Sequence, residues 1–203
     1  MLLSVTTFLS VDGVYQGPGG PDEDRSGGFD RGGWLAPLFD DEAGQFMVET
    51  FGEADAFLLG RRTYDIFSAY WPTVNDPDDA ISGGLNTLRK HVVSKTLKDP
   101  TWQNTTVLGG DLAPSVRALK EQEGRELQVH GSGKLVQSLL AEDLVDRLNL
   151  LVFPVIVGAG KRLFPDSGIA TGLQLDGSRT TPSGVTISVY TPVGRPEFGT
   201  VGE

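Results

Sequence analysis

Three short stretches place anion-binding chemistry where apolar runs give way to polar turns. They are LLGRRTYDIF over 58–67, VVSKTL over 92–97 and QVHGSGKLVQSLL over 128–140. In the first, a buried strand ends at Gly60, and Arg61, Arg62 and Thr63 open a helix at once. Such a junction exposes unpaired N–H groups and the positive end of a helix dipole, which suit a phosphate. In the third, Gly131 and Gly133 let a backbone approach a pyrophosphate without a Cβ in the way. Ser132 between them can donate a hydrogen bond or cap the helix that opens at Lys134 and Leu135. Val136 stands where a third glycine would complete G-x-G-x-x-G, so the stretch is neither that fingerprint nor a Walker sequence. In the second, Ser94, Lys95 and Thr96 bring hydroxyl, ammonium and hydroxyl in succession to a strand end. That set could clasp a monophosphate such as the 2′-phosphate of NADPH. Each stretch also has a plain use, as a helix cap, a solvated lysine or a solvated arginine pair. Together they fit one extended ligand carrying a pyrophosphate and a further phosphate.

Two more stretches bear on where a ring would lie. In SVDGVYQ, over 10–16, Asp12 and Gly13 make a turn after a strand, and the backbone there could lie against a nicotinamide. The glycine-rich loop behind them, 17–33, is read as flexible and able to close as a lid. In FPVIVGAGKRLFPD, Gly158 and Gly160 either let the chain pass close to a bound ring or form a simple turn with charged tips. Trp34, Phe46 and Phe153 are candidate walls of a substrate cleft, or else core aromatics.

The elements that must position these residues follow from periodicity. Residues 2–9 read as a strand, 40–53 as a helix after an Asp-Asp-Glu start, and 54–60 as a short buried strand. A helix over 61–71 stops at Pro72, a loop covers 73–84, and a short helix is expected near 85–89. Strands at 90–94, 105–109 and 125–131 alternate with helices at 113–124 and 132–144. A long strand is expected over 146–158, and 171–180 with 184–193 form a final antiparallel pair. Strands alternating with helices give an α/β fold with a mostly parallel sheet, whose ligands sit at the carboxyl ends of the strands. The chain is read as one domain over 1–203.

Composition narrows the function classes. A formal net charge of −10 argues against a nucleic-acid binder but leaves room for a local basic pocket. The absence of cysteine excludes disulfides and a cysteine nucleophile, and with 2 histidines no metal site is expected. The apolar start MLLSVTTFLSV lacks a basic leader and is too short to span a bilayer, so no membrane partner and a cytoplasmic location are expected.

The motifs L-L-G-R-R-T-Y, V-V-S-K-T-L, H-G-S-G-K-L and P-V-I-V-G-A-G-K-R-L-F, in this order after S-V-D-G, resemble the dihydrofolate reductase-like superfamily. The closest resemblance is to the reductase domain of riboflavin-biosynthesis deaminase/reductases and its stand-alone relatives. The likeness runs from residue 1 to about 192. It implies a three-layer fold with an eight-stranded, mostly parallel sheet, NADPH across the strand ends and a homodimer. By position, Gly60, Arg61, Arg62 and Thr63 would bind the cofactor phosphates, and Ser94, Lys95 and Thr96 the 2′-phosphate, although arginine often stands where Lys95 does. Gly131, Ser132, Gly133, Lys134 and Leu135 would cradle the pyrophosphate, and Asp12 and Gly13 would border the nicotinamide. From the residues themselves, Trp34, Phe153, Gly158 and Gly160 are the candidate substrate-lining positions. The expected activity is NADPH-dependent hydride transfer to a pterin- or pyrimidine-like ring. The alternative is a nucleotide-binding protein that kept the fold without chemistry. Folate reductases carry one acid on the helix after the lid. Here Asp40, Asp41, Glu42 and Glu49 compete for it, with Asp40 and Glu49 taken as candidate proton donors. Asp40 to Glu42 equally suit a helix N-terminus. No H-x-E or C-x-x-C of a deaminase half is present.

Overall fold

A computed structural model describes residues 1–74, 76 and 78–202. Residues 75 and 77 of the loop read over 73–84, and residue 203 of the one-domain reading, lie outside the described residues.

The strands are β1 (Leu2–Ser10), β2 (Ala54–Gly60), β3 (Arg89–Val93), β4 (Thr105–Leu108), β5 (Glu126–His130), β6 (Arg147–Phe153), β7 (Leu173–Thr180) and β8 (Thr186–Pro192). The helices are α1 (Asp41–Gly52), α2 (Arg61–Tyr70), α3 (Ala80–Thr87), α4 (Leu112–Lys120) and α5 (Gly133–Ala141). One eight-stranded sheet runs in the order β4-β3-β2-β5-β1-β6-β8-β7. Strands β1 to β6 pair in parallel, and β8 and then β7 add on antiparallel beyond β6. This is the expected mostly parallel sheet with an antiparallel terminal pair.

Strand alternation divides the core between the two sheet faces. Leu3, Val5 and Leu9 of β1 pack with Val116 and Leu119 of α4 and Leu135, Val136 and Leu139 of α5. On the other face Phe57 and Leu59 of β2 and Leu151 and Phe153 of β6 pack with Met47 and Phe51 of α1 and Leu85 of α3. Parallel strands covered on both faces read as near-continuous apolar runs, which is why ADAFLLG and RLNLLVF are legible as strands.

Two boundaries differ most from expectation. The short helix expected near 85–89 forms earlier, at Ala80–Thr87. The Asp79 carboxylate accepts the Ile81 N–H at 3.0 Å to cap its start, and Arg89 already pairs with Ala56 in the sheet. Its end is closed by the buried Lys90, whose Nζ donates to Leu85 O at 2.7 Å and Leu88 O at 2.8 Å. The long strand expected over 146–158 stops at Phe153. Pro154 has no N–H for the ladder. The Val155 N–H turns back onto Phe153 O at 2.7 Å, so the chain bends toward the β1 turn, where Val11 N–H meets Val155 O at 2.9 Å.

Candidate functional site

Strands β3, β2, β5, β1 and β6 are consecutive neighbours and all parallel, so their carboxyl ends share one edge of the sheet. At 4.7–4.9 Å per strand, that edge runs roughly 19 Å from β3 to β6. The turns singled out in sequence all lie along it: Ser94–Thr96 after β3, Gly60–Thr63 after β2, Gly131–Leu135 after β5, Asp12–Gly13 after β1 and Gly158–Gly160 after β6.

The β2 and β5 turns touch. Gly60 is the extended residue before α2, with no side chain to cap it. Its N–H donates to Ser132 Oγ at 2.9 Å, and the Ser132 and Thr63 hydroxyls share a short hydrogen bond. Ser132 does not cap its own helix α5; it is a non-glycine residue in the left-handed region, with φ 59°, and its hydroxyl braces α2 instead. Such a conformation persists only where its surroundings hold it, which marks the turn as a functional candidate. A Cβ on Gly60 would lie 2.5 Å from Ser132 Oγ, and one on Gly133 would overlap the Tyr15 ring. Gly131, with φ +77°, completes the turn. Leu135 is buried in the core beneath it.

The β3 turn joins the same edge. Arg61 Nη1 reaches Thr96 Oγ1 at 3.5 Å, while its Nε donates to Asp65 at 2.8 Å. The Ser94 hydroxyl is taken by its own turn, accepting the N–H of Thr96 at 3.2 Å and of Leu97 at 3.0 Å. Lys95 and Lys134 are exposed. Arg62, 55% exposed, donates from Nη2 to Asp24 Oδ1 at 2.5 Å.

Asp24 sits in the glycine-rich loop and is buried. Its other oxygen accepts from Lys161 Nζ at 2.8 Å, and Ser26 adds its N–H at 3.0 Å and its hydroxyl at 2.6 Å. Burial works to raise this carboxyl, but Lys161, Ser26 and Arg62 outweigh it and hold the group well below the usual carboxylate range. Gln16 Nε2 fixes the same loop through the carbonyls of Asp24 at 3.1 Å and Ser26 at 2.9 Å. Asp24, Lys161, Tyr15 and Gln16 were not singled out in sequence. A carboxylate in a polar loop carries no periodicity, and only the G-K-R run hinted at Lys161.

The β1 and β6 side is built differently. The Asp12 carboxylate accepts from Ser10 Oγ at 2.7 Å, Val157 N–H at 3.0 Å and Gly158 N–H at 2.9 Å. The Ser10 hydroxyl foremost, with those two N–H groups, brings it down to about 2 against the effect of burial. Asp12 therefore pins the post-β6 turn, and Gly13, with φ +76°, closes its own. Gly160 lacks a side chain because Phe29 and Val14 fill that space, each 2.9 Å from where its Cβ would be. Phe153 is fully buried, with Trp34 and Phe8 edge-on at 5.8 and 5.9 Å. The Trp34 indole N–H goes to Gln16 O at 2.9 Å. In this arrangement Trp34, Phe153 and Gly160 pack against the protein's own residues and Gly158 serves Asp12. Phe46 lies under the Arg179 guanidinium at 5.2 Å.

The candidate acids are also committed. Asp40 caps α1, accepting Ala43 N–H at 2.9 Å on one oxygen and Ser183 N–H at 2.8 Å on the other. Those bonds, the Ala43 one foremost, hold its carboxyl well below the usual range, so it carries no proton to give at neutral pH. Glu49 is exposed, accepts from Gln45 Nε2 at 3.1 Å and faces Arg179 at 3.7 Å. In this structure both carboxylates are engaged by these contacts. His130, at the end of β5, stacks on Phe51 and pairs with Gln128, and burial pushes it down to about 3. It stays neutral.

A broad depression lined by Met1, Arg117, Lys120 and Asp146 lies at the opposite, amino edge of the sheet, away from these turns. Among the described residues no cluster could hold a metal ion, and no helix is long and apolar enough to cross a membrane.

Comparison with known proteins gives one context for this edge. The chain is 28% identical over 146 residues to the uncharacterized protein YyaP of Bacillus subtilis, covering 71% of this chain and 77% of that protein. It is 23% identical to YwjB of the same organism, covering 72% and 78%. Its fold matches that of a protein from Shewanella sp. PV-4 assigned to riboflavin biosynthesis, with TM-score 0.72 and 21% identity over 95% of this chain and 99% of the other. It also matches a pyrimidine reductase-like protein of Corynebacterium diphtheriae, with TM-score 0.64 and 16% identity over 95% and 92%. A longer Thermotoga maritima deaminase/5-amino-6-(5-phosphoribosylamino)uracil reductase matches with TM-score 0.63 and 13% identity, over 95% of this chain and 56% of that one. These likenesses fix the dihydrofolate reductase-like fold. The family described as the RibD C-terminal domain matches residues 2–187, and the chain belongs to it.

Proposed function

We propose that the chain is an NADPH-dependent reductase that transfers hydride to a small pyrimidine- or pterin-like ring. The observation that carries this reading is the contact between the β2 and β5 turns, with the β3 turn beside them on one strand-end edge. The residues fit a dinucleotide: the turns at Gly60 and Gly131–Gly133 bring the backbone N–H groups of two helix mouths to one edge, with Ser132 packed against Gly60 and the Tyr15 ring over Gly133. Gly60, Arg61, Arg62, Thr63 and Gly131 to Leu135 would hold the pyrophosphate. Lys95, with Thr96 and Ser94 shaping its turn, would meet the 2′-phosphate. Membership in the RibD C-terminal domain family supports a reductase. When bound, NADPH supplies the hydride. The Asp12 turn fixes the backbone at the β1 end, and the loop through Trp34, anchored on Gln16, would shield that end from water.

A second reading is favoured by one specific observation. Asp40 and Glu49 are both engaged elsewhere, which suits a nucleotide-binding protein without turnover. Titration with NADPH and NADH, followed by tryptophan fluorescence, and a turnover panel of pyrimidine, pterin and flavin rings separate the two. Saturable NADPH preference with turnover supports the reductase, and preference without turnover supports the second reading. No saturable binding of either nucleotide removes both. We also propose a soluble homodimer acting on a small molecule.

A further inference from the structure

The segment that follows β1 lies on both halves of the phosphate edge. Tyr15 places its ring directly over Gly133, at the mouth of α5. Nine residues on, Asp24 bridges Arg62 beside the mouth of α2 and Lys161 beyond β6. Asp24 is buried, and its side-chain bonds outside its own loop are to these two cations. The carboxylate on the cations stands in for the charge a nucleotide's phosphates would bring, and the aromatic ring covers the glycine turn those phosphates would meet. A pyrophosphate carries more charge and more acceptor oxygens than one carboxylate, so it can displace Asp24 from the same donors. Glycines at 17, 19, 20, 27 and 28 flank Asp24 and give the segment backbone freedom to leave.

We propose that Tyr15 and Asp24 form a built-in competitor that occupies the phosphate edge and leaves when a phosphorylated nucleotide binds. This rests on the cofactor reading above and adds its regulation: affinity is set by how tightly Asp24 holds Arg62 and Lys161.

The test compares wild type with Asp24→Asn, and with Asp22→Asn, which makes the same charge change at an exposed position. Nucleotide affinity is read by tryptophan fluorescence. Loop release is read as tryptic cleavage after Arg25 and Arg31. Asp24→Asn is expected to tighten NADPH binding about tenfold, the scale of one lost competing bond. It should also speed cleavage without nucleotide, while Asp22→Asn changes neither. Tyr15→Ala is the second variant and should shift affinity in the same direction. Weaker or unchanged binding by Asp24→Asn overturns the inference and makes Asp24 an anchor of the cofactor site, leaving the cofactor reading intact. Equal tightening by Asp22→Asn overturns it as a bulk charge effect. If no variant binds NADPH, the cofactor reading fails, and cleavage of wild type with inorganic pyrophosphate decides the inference alone. Faster cleavage supports it, and an unchanged rate overturns it.

Discussion

The two halves of the strand-end edge differ in how their polar groups are spent. On the β3–β2–β5 side, cations are exposed at helix mouths, and glycines at the turns let Ser132 and Tyr15 approach the backbone closely. On the β1–β6–α1 side, two acids already serve the fold: Asp12 pins a turn and Asp40 caps a helix. On the proposed reading the first half takes the ligand, while the second holds a loop and a helix in place.

The largest expected effect breaks the ligand half. Arg62→Ala should weaken NADPH binding by roughly 10- to 100-fold, the loss of one charge-assisted contact worth about 1.5–3 kcal/mol. Lys95→Ala should act more selectively. NADPH binding should fall about tenfold while NADH binding holds, so the ratio of the two dissociation constants narrows. An unchanged ratio would move the 2′-phosphate away from the β3 turn.

How much of this was legible follows from the same contrast. The phosphate turns stood out in sequence because glycine, serine and arginine interrupt apolar runs where a strand becomes a helix. Strand order was not legible from those runs, since β5 inserts between β1 and β2 only through long-range pairing. Asp40 looked like a candidate acid because D-D-E reads alike as a cap and as a cluster of carboxylates. Its second partner, Ser183, is 143 residues away, beyond any local pattern. Asp24 was hidden for the same reason: both of its cations come from other strand ends. The overlong strand over 146–158 counted β-branched residues and gave Pro154 too little weight.

Smaller effects sharpen the structural half. Lys90 is buried, with its ammonium over the Trp102 ring at 4.5 Å, and burial lowers it to about 8. Because the folded pKa lies below the ordinary lysine value of 10.5, the folded state holds fewer protons between them, and stability should rise with pH across that window. Lys90→Met should flatten the rise, on the order of 2–3 kcal/mol, in urea unfolding at pH 8 and pH 10. Asp40→Asn should lower the melting temperature while any kcat stays near wild type. A collapse of kcat with the fold intact would return Asp40 to the chemistry. Glu49→Gln is expected to leave both unchanged.

The most direct test of the central claim is a crystal structure of the chain with NADPH bound. The pyrophosphate is expected between Gly60–Thr63 and Gly131–Gly133, with the 2′-phosphate against Lys95. Nucleotide density at the amino edge, or phosphates touching only one of the three turns, would contradict it.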